Sequence, residues 1–189
     1  MYFSDNVEKP YVTKILKMFY YLDFISFAER GSSVTNDIYY KLPYGPIPTF
    51  IKNEIDTLLI TQEKSQLKND FILEKAEFGN LIKSKDRRKK ARDQYYSQYE
   101  KELMGLIVEK IGKKTTRQIV KKTHKEPPYL WTEENGIINY KLASFLNGRQ
   151  VLNWVMFKKN VIDFGDIYYS KIEKHFLFST FSFSKYNSF

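Results

Sequence analysis

The 189-residue sequence contains no cysteine, which excludes disulfide bonds and thiolate metal sites. Its two histidines, His124 and His175, lie far apart and lack the spacing of a metal-binding motif such as His-Glu-x-x-His. Also absent are the phosphate loop Gly-x-x-x-x-Gly-Lys-Ser/Thr, the dinucleotide motif Gly-x-Gly-x-x-Gly and the nucleophile elbow Gly-x-Ser-x-Gly. We therefore predict a protein that is not an enzyme and that uses no metal or cofactor.

The sequence also lacks an apolar run that is long enough to span a bilayer. The best candidate, residues 12–28, is too short and is interrupted by the charges of Lys14, Lys17 and Asp23. The acidic residues Asp5 and Glu8 precede it, unlike the basic start of a secretory signal. We expect a cytoplasmic protein that makes no membrane contact.

What is present describes a folded chain, with 42% hydrophobic and 28% charged residues and an unusual 15 Tyr and 15 Phe. In residues 12–28 apolar side chains cover most of a helix circumference, which predicts a buried helix. We predict a mainly α fold with a minor β part: a compact helical domain, residues 1–150, surrounds this buried first helix. A Phe-rich C-terminal extension, residues 151–189, packs on that domain.

Capping signals predict the elements that follow. Gly31 is placed to end the first helix in a left-handed conformation. Thr35 as N-cap, with Asp37 in the first turn, predicts a second helix that ends by Pro43. A stiff, proline-rich loop then leads to a third helix that starts near Pro48.

The remaining elements are predicted from shorter signals. Residues 71–73, Phe-Ile-Leu, indicate a strand or small hairpin, and a later helix ends at Gly112. Thr115 and Gln118 have the spacing of a capping box, which opens another helix. Two prolines then predict an extended segment at residues 127–131.

The C-terminal part carries weaker signals. Residues 142–146 suggest one more short helix after an Asn-Gly turn. In the tail, residues 176–189, phenylalanines alternate with other residues, so a strand with one apolar face is possible. Such a strand would aggregate if left exposed, so we expect the tail to dock on the body or on a partner.

The formal charge of +9 has two interpretations: attraction to nucleic acid, or solvation and an acidic partner. The basic residues cluster between Lys83 and Arg92. We favour an exposed start of the next helix, and the alternative is a docking site for an acidic partner or a phosphate backbone. The centre of this basic patch comprises Arg87, Arg88, Lys89, Lys90 and Arg92.

Two single residues require an explanation. His124 has no nucleophile or orienting carboxylate in a recognisable motif, so we favour a structural or binding role over catalysis. We expect it to hydrogen-bond a loop carbonyl and to fix the segment that follows. Asp23 lies within the buried helix and needs a partner there, for which a backbone N–H or a tyrosine is a candidate. The alternative is that Asp23 faces a groove that a partner fills.

An ordered set of short motifs runs through the chain: residues 19–24, Phe-Tyr-Tyr-Leu-Asp-Phe; Gly31 before Val-Thr; residues 44–47, Tyr-Gly-Pro-Ile; and Thr-His-Lys-Glu-Pro at residues 123–127, followed by Trp131. This order resembles the Panacea-domain family, the SocA-like antitoxins of bacteria and their prophages, over about residues 12–146. In this chain Tyr129 and Leu130 separate a doubled proline from the tryptophan, which is a departure from the family pattern.

The resemblance implies an antitoxin of a type II toxin–antitoxin system, which neutralises a co-encoded toxin by direct binding. A second implication is a proteolysis adaptor that delivers the toxin to a cytosolic protease. We expect the toxin-binding face to be built from the first helix, residues 44–47, residues 129–131 and the tail. The candidate partner-binding residues are Tyr20, Asp23, Tyr44, Gly45, Pro46, Thr123, His124, Pro127, Tyr129 and Trp131. The rival hypothesis is a nucleic-acid-binding regulator that uses the basic patch.

Overall fold

A computed structural model describes residues 2–85 and 94–146. The helices are α1 (Tyr2–Asn6), α2 (Val12–Arg30), α3 (Thr49–Ile60), α4 (Gln98–Ile111), α5 (Thr116–Thr123) and α6 (Pro127–Leu130). The strands are β1 (Tyr39–Leu42), β2 (Gly45–Pro48), β3 (Phe71–Ala76) and β4 (Gly79–Ser84). Short 3-10 turns span Gln62–Lys64 and Tyr140–Phe145. The prediction of a mainly α fold with a minor β part is confirmed.

Helix α2 lies at the centre of this arrangement. It contacts β2, α4, α5 and the turn Tyr140–Phe145, and its Met18 and Phe24 side chains have no exposed surface. The helix ends as predicted: Gly31 takes φ +74° and donates its N–H to the Phe27 carbonyl at 2.9 Å. The predicted buried helix is therefore confirmed, although the short helix α1 before it was not predicted.

Two antiparallel hairpins supply the β part. In the first, Tyr39 pairs with Pro48 and Leu42 with Gly45; in the second, Phe71 pairs with Ser84. The hairpin expected at residues 71–73 is confirmed. The helix expected from Thr35 to Pro43 is wrong, because this stretch contains an irregular turn followed by β1.

Long-range hydrogen bonds explain why no helix starts at Thr35. The Thr35 side chain donates to the Asp23 carboxylate, and Asn36 adopts a left-handed φ of +57°. The Asp37 carboxylate accepts hydrogen bonds from the N–H groups of Phe50, at 2.8 Å, and Ile51, at 3.0 Å. Asp37 therefore caps α3 instead of starting a helix of its own.

The second half of the domain follows its capping signals. Thr115 and Gln118 form the predicted capping box, with bonds of 2.9 and 3.2 Å, and α4 ends just before Gly112 as predicted. The extended segment expected at residues 127–131 is wrong, because the two prolines begin α6. Proline fits the first turn of a helix, where its missing N–H is not needed.

Several predictions fall on the basic cluster and the C-terminal part. Helix α4 begins at Gln98, so the cluster that ends at Arg92 is not its first turn, and that interpretation is wrong. The boundary near residue 150, the extension with its tail, and the basic residues Arg87, Arg88, Lys89, Lys90 and Arg92 lie outside the described residues. They stay predictions.

Candidate functional site

Asp23 is a buried anchor between α2 and the turn before β1. Its side chain has no exposed surface and accepts the N–H groups of Val34, at 2.9 Å, and Thr35, at 2.8 Å. The Tyr39 hydroxyl donates to it at 2.7 Å. Burial raises the pKa of Asp23, and these hydrogen bonds oppose the rise. The expected backbone and tyrosine partners are confirmed, whereas contact of Asp23 with a protein partner stays a prediction.

Lys17 connects α2 to the first hairpin. It is fully buried, and its Nζ donates to the Pro46 carbonyl at 2.7 Å. Gly45 allows this close approach: it has φ +96°, and a Cβ built on it would lie 2.9 Å from Thr123 Oγ1 and 3.1 Å from Lys17 Nζ. Desolvation lowers the pKa of Lys17 to about 7. Three predicted residues, Gly45, Pro46 and Thr123, therefore meet around a lysine that was not predicted.

Glu126 forms a second buried polar contact with α2. Its Oε1 accepts from the Tyr21 hydroxyl at 2.8 Å and from Lys122 Nζ at 3.2 Å. Burial raises the pKa of Glu126, and Lys122 acts in the opposite direction. The fully buried Tyr20 hydroxyl also lies close to Glu126, and burial together with this nearby carboxyl group raises the pKa of Tyr20. The start of α6 is thus attached to α2 through a desolvated carboxyl group.

His124 contacts the following segment through its ring face. Its imidazole stacks on Tyr129, with ring centroids 4.4 Å apart and planes inclined by 5°. His124 Nε2 is buried and makes no hydrogen bond within the described part of the chain, so His124 contacts this segment by stacking. Burial and the nearby charge of Lys17 lower the pKa of His124, which favours the neutral ring. The Tyr129 hydroxyl in turn donates to the Leu42 carbonyl at 3.1 Å.

Exposed apolar side chains flank this link between the first hairpin and α6. Tyr44, at the hairpin turn, is 72% exposed; Leu130 and Trp131, next to Tyr129, are 55% and 59% exposed. The Trp131 and Phe145 rings meet edge-on, with their centroids 5.1 Å apart. We call Tyr44, Leu130, Trp131 and Phe145 the aromatic face. Protein-binding surfaces are enriched in such large, rigid aromatic side chains.

The structure separates the ten predicted partner-binding residues by burial. Tyr44 and Trp131 are exposed, and His124 and Pro127 are half-buried. The other six are buried, namely Tyr20, Asp23, Gly45, Pro46, Thr123 and Tyr129. The partner-binding role of all ten stays a prediction. Lys17 and Glu126 were missed, although a charged residue on an apolar helix face was a signal for Lys17.

The described ranges, residues 2–85 and 94–146, contain neither a metal-binding cluster nor a membrane-spanning helix. No group of three or more His, Asp or Glu side chains there could hold a metal ion. In the same ranges, the helices are too short or too polar to traverse a bilayer.

Comparison with known proteins identifies the domain. No curated protein and no solved structure matches the chain significantly. The family model described as antitoxin SocA-like, Panacea domain, matches residues 15–132. This match covers more than half of the chain and includes both hairpins, the Lys17 and Asp23 contacts, and α6. The chain therefore belongs to the SocA-like antitoxin family that is defined by the Panacea domain.

Proposed function

We propose that the chain is the antitoxin of a bacterial or prophage type II toxin–antitoxin system. In this proposal it binds a co-encoded toxin in the cytoplasm and neutralises it by direct contact, without catalysing a reaction. Membership of the SocA-like antitoxin family carries the proposal. The identity of the partner is therefore tested first with the product of the adjacent gene.

The aromatic face supports the location of the contact. Trp and Tyr side chains dominate the binding energy of many protein interfaces, and Tyr44 and Trp131 are exposed on this face. A stable complex buries about 800 Å² on each partner, so the face would form the centre of a larger contact. Helix α2 supports the face from inside, because Tyr21 donates to Glu126 and Lys17 donates to the Pro46 carbonyl. Its direct contact with the toxin stays a prediction.

A pair of substitutions tests this location. We expect Tyr44→Ala combined with Trp131→Ala to weaken toxin binding about 30-fold or more, the effect of losing about 2 kcal/mol at an interface anchor. Affinity is measured by titrating purified toxin, and neutralisation by co-expression in a growth assay. Phe78→Ala is the matched control, because Phe78 is equally aromatic, 77% exposed, and located on the second hairpin.

Two results would contradict the proposal at different levels. Failure of the unmodified chain to bind or neutralise the adjacent gene product would refute the antitoxin function for that pair. Equal weakening by Phe78→Ala would refute the aromatic face while leaving the function in place.

Neutralisation by contact alone differs measurably from delivery of the toxin to a cytosolic protease. Contact alone predicts that the toxin persists while its toxicity is suppressed. A shortened toxin half-life in cells that contain this chain, restored by deleting the protease, would identify the chain as a proteolysis adaptor instead.

A further inference from the structure

Helix α5 and its two flanks form a second, chemically different surface. Residues 113–125 contain six basic residues and no acidic residue. One of the six, Lys122, pairs with Glu126 at 3.2 Å. The other five are exposed, namely Lys113, Lys114, Arg117, Lys121 and Lys125. None of these five forms an ion pair with a residue in the described part of the chain.

The packing of α5 directs this charge outward. Ile119 and Thr123, four residues apart, are fully buried on the side that faces α2. Arg117 and Lys121, also four residues apart, fall on the opposite side of the helix. They are separated by about 6 Å along the helix axis, given a rise of about 1.5 Å per residue. The outward side is therefore a row of cations.

Helix stability accounts for only part of this arrangement. Lys121 is in the last turn of α5, and Lys113 and Lys114 directly follow the C-terminal end of α4, so positive charge at these positions complements a helix dipole. Arg117, by contrast, lies in the first turn of α5, where positive charge is unfavourable. An external anionic partner would offset the unfavourable position of Arg117.

The composition of this surface indicates which class of partner it binds. Protein interfaces have apolar cores that are depleted in lysine, whereas protein–DNA interfaces are much more positively charged. The outward side of α5 presents no aromatic side chain on which single-stranded bases could stack. Double-stranded RNA is usually contacted across two successive minor grooves, farther than an eight-residue helix of about 12 Å reaches.

We propose that the outward side of α5, with its flanking lysines, binds the phosphate backbone of duplex DNA. This activity is additional to the proposed toxin neutralisation and uses a surface that does not include the aromatic face. Backbone contacts of this kind are independent of base sequence and are weakened by salt, because each neutralised phosphate releases counterions.

The test measures binding of the full chain to a short fluorescein-labelled DNA duplex by anisotropy, between about 50 and 200 mM salt. Five phosphate contacts predict a slope of log K against log salt of about −4.5, or roughly a 500-fold loss of affinity over that range. In the variant Lys114→Gln/Arg117→Gln/Lys121→Gln we expect the slope to become shallower by about 3. The control Lys9→Gln/Lys64→Gln/Lys75→Gln removes equal charge at exposed positions elsewhere and should change the slope far less.

Four outcomes would overturn the inference. These are no binding of the unmodified chain at low salt, an unchanged slope in the α5 variant, an equal effect in the control, and tighter binding of the single strand than of the duplex. Both variants are checked for native circular dichroism before titration. Toxin is absent from the assay, so its result is independent of whether the antitoxin function is confirmed. If the α5 variant loses toxin capture while the unmodified chain binds no DNA, the surface is a protein interface and the inference is wrong.

Discussion

Replacing Lys17 with methionine should change how the stability of the domain depends on pH. Lys17 is fully buried, its pKa is lowered from 10.5 to about 7, and its one hydrogen bond in the described structure goes to the Pro46 carbonyl. A shift of this size corresponds to about 5 kcal/mol, as an order of magnitude, by which burial disfavours the charged form. Methionine has a similar length and carries no charge that must be desolvated.

The folded and unfolded chains bind different numbers of protons at Lys17, and this difference sets the direction of the effect. Between pH 7 and 10.5 the unfolded chain still carries a proton on Lys17, whereas the folded chain has lost it. Stability therefore rises with pH across this window, and the penalty of the buried charge is complete below pH 7. From pH 7.5 to 9.5 the unfolding free energy of the unmodified protein should rise by about 2 to 3 kcal/mol relative to Lys17→Met.

Urea unfolding at several pH values, followed by circular dichroism, measures this difference. Because Lys14, His124 and Glu126 also have shifted pKa values, only the difference between the two proteins isolates Lys17. Lys64→Met, at an exposed position, is the control. Its unfolding free energy should depend on pH in the same way as that of the unmodified protein. A difference between the unmodified protein and Lys17→Met that stays constant from pH 6.5 to 9.5 would refute the reasoning.

Three further substitutions test the site. Asp23→Ala leaves buried N–H donors unpaired and should lower the unfolding free energy by about 3 kcal/mol or more, measured in urea; a loss under 1 kcal/mol would contradict the anchoring role. Gly45→Ala should lower the thermal unfolding midpoint clearly more than Gly79→Ala does. Both glycines have positive φ, but only Gly45 has side chains within 4 Å of the added Cβ. Equal shifts of the midpoint in the two variants would contradict this. His124→Phe preserves a ring to stack on Tyr129 and should retain toxin neutralisation in the growth assay, whereas loss of neutralisation with normal folding would indicate imidazole chemistry.

Local signals predicted the elements that local interactions stabilise. The capping box at Thr115 formed because both of its hydrogen bonds join residues three positions apart. The left-handed end of α2 at Gly31 was predictable for the same reason. The start of α3 was predictable from Pro48, although the carboxylate that caps this helix, Asp37, is remote in sequence. The prediction failed at residues 35–42, where the deciding partners, the Asp23 carboxylate and the amides at the start of α3, are remote in sequence.

The sequence singled out some of the residues at the candidate site, but it did not predict which of them are buried. Short motifs singled out Tyr44 and Trp131, which are exposed, together with Tyr20 and Asp23, which are not. A short motif indicates that a residue makes an important contact. It does not show whether that contact lies inside the domain or with another protein. Lys17 escaped prediction because a lysine in an apolar helix normally extends its amino group to the surface. Here the Lys17 Nζ instead donates a hydrogen bond to the Pro46 carbonyl inside the protein.

The two carboxylates of Asp23 and Asp37 give the irregular connection between α2 and β1 an unexpected property. Asp23 accepts hydrogen bonds from amides of the turn, and Asp37 accepts hydrogen bonds from amides in the first turn of α3. Amide protons in such a connection ordinarily exchange quickly with solvent, since local opening there costs little. Here exposure of the Val34 and Thr35 amides requires separation of the turn from α2, so these two amides should exchange hydrogen on the same slow timescale as the centre of the domain.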